Sequence, residues 1–142
     1  MSNDTNQQKI MINFRKSEFK CKCNSCRYSR DDIDIGELMD PIFLDKLQHM
    51  RTDVGKPFRI NSGARCALYN ESVGGVPISA HLVTGIQPAC AADISMVGWS
   101  AAARYKFVKS AIKYNMWGIG IYKNFIHVDS KKKRKALWHG DY

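Results

Sequence analysis

Apolar positions along this chain recur first at helical spacing and later in strand-like alternation. After Asp40-Pro41, the residues Phe43, Leu47, Met50 and Val54 follow one another as one face of a helix. Asp40 suits the N-cap, where its carboxylate accepts an orphan amide hydrogen, and Pro41 suits the first helical position, where no amide hydrogen is needed. Gly55 closes the helix, because glycine enters the left-handed region without steric cost. Phe58 to Asn61 reads as a short strand, and a brief helix runs from Arg65 to about Val73, stopped by Gly74-Gly75. Val76 to Ala92 is rich in Gly, Pro, Ser and Thr and predicts irregular backbone. Ala92 to Met96 alternates as a strand. Ser100 then caps a helix through about Tyr114, with Tyr105, Val108 and Ile112 on one face. Gly118–Tyr122 and Phe125–Asp129 flank Lys123-Asn124 as a tight hairpin, since Asn tolerates positive φ in a two-residue turn. Lys9 to Phe14 reads as a strand or extended arm. Helices and an antiparallel sheet in separate runs predict an α+β fold.

The bulk numbers narrow the class. At 142 residues, without internal repeat or linker, the chain fits one compact domain, taken as 10–142 after a flexible tail over 1–9. No run of 18 apolar residues is present, so no membrane span is expected. The polar segment Met1 to Gln8 lacks the basic-then-apolar layout of a secretory signal, which points to synthesis in the cytoplasm. The net charge of +9 is partly local, in Lys131, Lys132, Lys133, Arg134 and Lys135. Such a surface attracts polyanions of many kinds and does not by itself select one.

Three fragments carry candidate chemistry: Ser79-Ala-His81, Ala91-Ala-Asp-Ile94 and Phe125-Ile-His-Val-Asp129. A catalytic zinc needs three protein ligands and an open position, and two imidazoles with one carboxylate meet that need. His81 on a loop, with Asp93 and His127 on neighbouring strands, converge on one point if the strands pair. Spacing alone leaves the plainer reading open, because a lone His is commonly just a hydrogen-bonded polar residue.

Read in order, Asn61-Ser-Gly-Ala-Arg-Cys66, Asn70, Val73-Gly-Gly-Val-Pro77, Ser79-Ala-His-Leu82, Ala91-Ala-Asp-Ile94, Gly118-Ile-Gly-Ile121 and Phe125-Ile-His-Val-Asp129 resemble the M15 peptidase family. The resemblance runs from about Phe14 to Trp138 and is nearest to the small phage and bacterial branch, with its D-Ala-D-Ala carboxypeptidase-like and L-alanyl-D-glutamate endopeptidase-like enzymes. It implies a compact domain with a central antiparallel sheet and flanking helices, of the kind shared with the Hedgehog signalling domain. It implies a zinc ion on His81, Asp93 and His127, and hydrolysis of bacterial peptidoglycan peptides by an endolysin-like or carboxypeptidase-like enzyme. Arg65 is then expected to bind a substrate carboxylate or steady an oxyanion, and Ser79 to donate a hydrogen bond to substrate. A monomer is expected, acting at the bacterial wall or in the periplasm after release, with a phage or prophage origin.

Two departures from the family pattern stand out. The family usually carries a compact H-x6-D block, whereas eleven residues separate His81 from Asp93 here, with Val83 to Cys90 as the expanded part. Loop-closure entropy grows slowly with length, so a surface loop tolerates this. The acidic residue that many relatives place three before the last His is Asn124, which takes no proton. Asp129 is the alternative, either as the base that activates water or as the partner that orients His127.

The cysteines lie apart from this set. Cys21, Cys23 and Cys26 form C-x-C-x2-C, one ligand short of a structural zinc site, and nothing in the sequence places Cys66 beside them. Free or partly buried thiols are expected there rather than a second ion. The cluster and the basic run motivate rival readings, a zinc-ribbon nucleic-acid-binding module or a non-catalytic metal-binding relative of the peptidases. The zinc-ribbon reading leaves the ordered peptidase blocks unexplained, so nucleic acid is not an expected partner.

Overall fold

The structure is a computed structural model and describes residues 13–131 and 135–140. The expected tail, most of the expected N-terminal arm and the middle of the basic run (132–134) lie outside the described residues. Four helices are described: α1 (Ile35–Leu38), α2 (Pro41–Val54), α3 (Ala67–Ser72) and α4 (Ala101–Lys113). Five strands form one sheet: β1 (Ile60–Ser62), β2 (Ala91–Ser95), β3 (Gly118–Ile121), β4 (Phe125–Asp129) and β5 (Ala136–His139), in the order β1-β2-β4-β3-β5. The fold is α+β. No described helix is long and apolar enough to cross a membrane.

The ends of α2 follow from its terminal residues. The Asp40 carboxylate accepts the Phe43 N–H, Pro41 occupies the first turn, and Gly55 sits at φ 73°. Phe43, Leu44, Leu47, Met50 and Val54 are buried against the sheet and α4. Ser100 caps α4 by accepting the Ala103 N–H, but the buried face of α4 is not the expected one. Phe107, Ser110 and Ala111 point inward, while Tyr105 and Ile112 are exposed. Both sets recur at helical spacing, so periodicity could not choose between them. Phe107 decides it, packing 5.1 Å from the Phe58 ring and 5.8 Å from Trp99.

Four of the strands are antiparallel neighbours, including the expected β3–β4 hairpin, although Asn124 in its turn does not take the positive φ expected of it. β5 joins the far edge parallel to β3. Ala-Leu-Trp-His has no polar–apolar alternation and follows a basic run, so neither composition nor period marked it as a strand. β2 is buried along its whole length, with Ala92 and Ile94 on the core side and Asp93 on the opposite face.

Candidate metal centre

Antiparallel register brings the site together. Asp93 on β2 lies directly opposite His127 on β4, and in turn Ser62 pairs with Asp93 and Gly120 with His127. Gly120 also pairs with Trp138 on β5. One row across the sheet therefore reads Ser62, Asp93, His127, Gly120, Trp138. His81 enters from the irregular loop, whose backbone is tied to the turn before α3: the Arg65 N–H donates to the His81 carbonyl at 2.7 Å and the Val83 N–H to the Arg65 carbonyl at 2.9 Å. This pairing pins His81 although the loop that follows it is long.

His81 Nε2, His127 Nδ1 and Asp93 Oδ1 form a nearly equilateral triangle. The distances are 3.1 Å from His81 Nε2 to Asp93 Oδ1, 3.0 Å from His127 Nδ1 to the same oxygen, and 3.2 Å between the two nitrogens. The outer nitrogens are occupied. His81 Nδ1 lies 2.7 Å from the Gly63 carbonyl, which can only accept, so Nδ1 carries the hydrogen and Nε2 presents a lone pair. His127 Nε2 donates to Asp129 Oδ2 at 2.7 Å, which leaves Nδ1 as the second lone pair. Three acceptor atoms thus converge at mutual distances that repel unless a cation or a proton sits among them.

Without a metal, a proton does so. Burial alone would pull the His127 pKa down, but the carboxylates of Asp129 and Asp93 outweigh it and push it up to about 9. Burial alone would raise the Asp93 carboxyl, yet hydrogen bonds from His127 and His81 hold it well below the usual carboxylate range. A zinc ion meets the same need better. Ligands about 2.0–2.1 Å from a tetrahedral zinc stand about 3.3 Å apart, close to the spacing of this triangle. Donor type, spacing and tautomer therefore fit a zinc site on His81, Asp93 and His127. His81 and Asp93 are buried, and His127 keeps a partly open edge.

The surrounding residues sort the remaining sequence expectations. The Arg65 guanidinium donates to Asp93 Oδ2 at 3.1 Å, to Ser62 Oγ at 3.0 Å and to Asn70 Oδ1 at 3.3 Å. It reaches the centre through Asp93, as a buried ion pair. Ser79 Oγ accepts the His81 N–H at 3.1 Å and so shapes the turn that presents the imidazole. Both Asp129 oxygens are engaged, Oδ2 by His127 and Oδ1 by the Lys131 N–H at 3.0 Å. Asn124 lies in the β3–β4 turn.

Trp138 was not anticipated. Its ring lies 5.3 Å from the His127 ring, and its indole N–H donates to Tyr122 Oη at 2.9 Å. The two glycines of β3 make room on this face. A Cβ on Gly120 would stand 2.5 Å from Trp138 Nε1, and one on Gly118 would stand 2.2 Å from Asp129 Oδ2. The signal was present as Gly118-Ile-Gly-Ile121, whose alternation leaves one face of the strand bare.

The described cysteines are free thiols, as expected, but the fold places Cys66 beside the other three. Cys66, the residue after Arg65, joins Cys21, Cys23 and Cys26, and the four sulfurs lie within 4.8 Å of one another. The family model described as Peptidase M15 matches residues 12–129 of the chain. No curated protein sequence matches the chain.

Proposed function

The chain belongs to the Peptidase M15 family, and from that premise we propose that it is a zinc-dependent hydrolase of bacterial peptidoglycan peptides. The observation that carries the zinc reading is the convergence of three lone pairs whose outer partners, the Gly63 carbonyl and the Asp129 carboxylate, fix both imidazole tautomers. A zinc ion held there supplies Lewis acidity, lowering the pKa of water toward about 7 and polarising a peptide carbonyl. The wall-peptide substrate rests on the resemblance to small phage and bacterial enzymes, and the net charge of +9 suits an anionic envelope polymer. Action at the cell wall or in the periplasm belongs to the same proposal.

The chain's own residues divide the remaining work. Arg65 holds Asp93 by one oxygen so that the other faces the imidazoles, and its charge favours an anionic group close to the centre. Asp129 is a positioning residue, since it acts through His127 and both its oxygens are already engaged. Trp138 provides an apolar wall beside the open edge of His127. The test is digestion of purified peptidoglycan with and without a chelator, with mass spectrometry of the released peptides. Chelator-sensitive fragments are expected, and their masses name the bond. Absence of such fragments from zinc-loaded protein defeats the proposal.

A further inference from the structure

The segment from Ser62 to Cys66 has two faces. Toward the metal centre it offers the Ser62 hydroxyl, the Gly63 carbonyl and the Arg65 guanidinium. Toward the N-terminal arm it offers Cys66. The arm meets it closely: the Ala64 N–H donates to the Phe19 carbonyl at 2.9 Å, and a Cβ on Gly63 would stand 2.9 Å from Phe19 Cα. Cys21, Cys23 and Cys26 follow directly on Phe19, and no described cysteine is bonded to another.

We infer that Cys21, Cys23, Cys26 and Cys66 form a second metal site, a four-thiolate centre for a structural zinc ion. The donor set is complete and of the type that zinc takes in closed structural sites. Ligands about 2.3 Å from a tetrahedral zinc stand about 3.8 Å apart. Cys66 Sγ and Cys23 Sγ are 3.9 Å apart, and all four sulfurs fall within 4.8 Å. The backbone is arranged for sulfur acceptors. The Cys66 N–H points to Cys21 Sγ at 3.3 Å and the Tyr69 N–H to Cys66 Sγ at 3.4 Å, so a backbone donor meets each of these two sulfurs. Cys23-Asn-Ser-Cys26 turns through Asn24 at φ 68°, a left-handed position that Asn tolerates, and so brings two ligands of a C-x2-C knuckle to one side.

On binding, each thiol still protonated releases its proton to solvent and zinc is neither oxidised nor reduced. The ion ties the arm to the N-terminus of α3, behind the segment that supports His81 and Asp93. It is a staple in a region of short 3-10 turns, where little regular structure holds the backbone.

The test uses the full chain, produced with zinc and without added chelator, together with an Asp93→Ala/His127→Ala variant. Elemental analysis is expected to give two zinc ions per wild-type chain and one in the variant. X-ray absorption of that variant is expected to show sulfur neighbours alone, at about 2.3 Å. Cobalt substitution of the same variant provides a second readout, an intense thiolate-to-cobalt charge-transfer band that Cys23→Ser weakens. The inference is overturned if the variant carries no zinc, if its zinc has nitrogen or oxygen neighbours, or if iron occupies the thiols. It is also overturned if the protein mass shows loss of hydrogens to disulfides, or if all five cysteines alkylate freely with zinc present. None of these outcomes depends on peptidase activity.

Discussion

The His81–Asp93–His127 group and the four-cysteine group are both compact donor clusters, yet the chain builds them by opposite means. Two members of the first stand opposite each other on paired strands, and the third is fastened through backbone hydrogen bonds to Arg65. Each imidazole is held by a hydrogen bond on its outer nitrogen. The second cluster draws three ligands from an arm of turns and a fourth from a helix N-cap. The difference teaches where order comes from. The triad sits in a sheet held by backbone pairing, whereas the thiols lie on an irregular segment of short turns. Removing metal should leave the first site assembled and loosen the second.

The largest effect that would break this contrast is expected from Asp93→Ala. It takes a ligand from the triad and leaves the Arg65 guanidinium buried without its anion, at a cost of about 3–5 kcal/mol. Chelator-sensitive hydrolysis should vanish and denaturant stability should fall by that amount, while the zinc bound by thiols stays. Loss of both zinc ions would break the contrast and overturn the four-thiolate site as a separate centre. Next comes Asp129→Asn, which keeps the shape and removes the charge that orients His127. A change in the partner behind a ligand typically costs about 10–100-fold in metal affinity. Chelator competition should show that fall at the triad alone, and unchanged affinity would remove Asp129 from its positioning role.

Gly120→Ala probes the sheet side of the comparison without touching a ligand. The new Cβ meets the Trp138 indole, and overpacking of this kind costs about 1–2 kcal/mol. The melting temperature and the near-ultraviolet tryptophan signal should both shift. Gly36→Ala, inside α1 where a Cβ would meet nothing within 4 Å, serves as the contrast and should raise stability by about 0.5–1 kcal/mol.

The smallest effect is a slope with pH in protein stripped of metal. His127 has a folded pKa near 9, above the usual value of about 6.5. Its stabilising contribution is therefore fully present below about pH 6.5 and disappears as pH rises through 9. Asp93 is shifted the other way, so its contribution is present above its usual range near pH 4 and disappears as pH falls. Thermal melts of the stripped protein should decline from pH 6.5 to 9.5. Added zinc should reverse that trend, because metal and proton compete for His127 Nδ1. A flat profile would mean that no proton is shared in the triangle.

Much of this was legible before any fold was known. The α2 helix was readable because its cap, its first-turn proline and its closing glycine act locally, within a few residues of one another. The β3–β4 hairpin was readable from its two flanking apolar runs, not from its turn, where Asn124 lacks the expected positive φ. The triad was legible as three fragments and a family resemblance, and strand register then did what alternation implies. Periodicity failed on α4, where two stripes were available and only the Phe58 and Trp99 rings chose between them. It failed on β5, whose place comes from pairing with β3 and not from its own pattern.

By itself, then, the sequence determined the elements whose causes are local, the α+β class, and the three residues His81, Asp93 and His127 whose grouping fits a zinc site. Only the tertiary structure decided that Arg65 spends its guanidinium on Asp93, that Trp138 lies beside His127, and that Cys66 completes the thiol cluster. Each of these joins residues between 11 and 45 positions apart through loops or across a sheet. Contacts of that kind leave no period in the sequence, because nothing about either partner's neighbours depends on the other until the chain has folded.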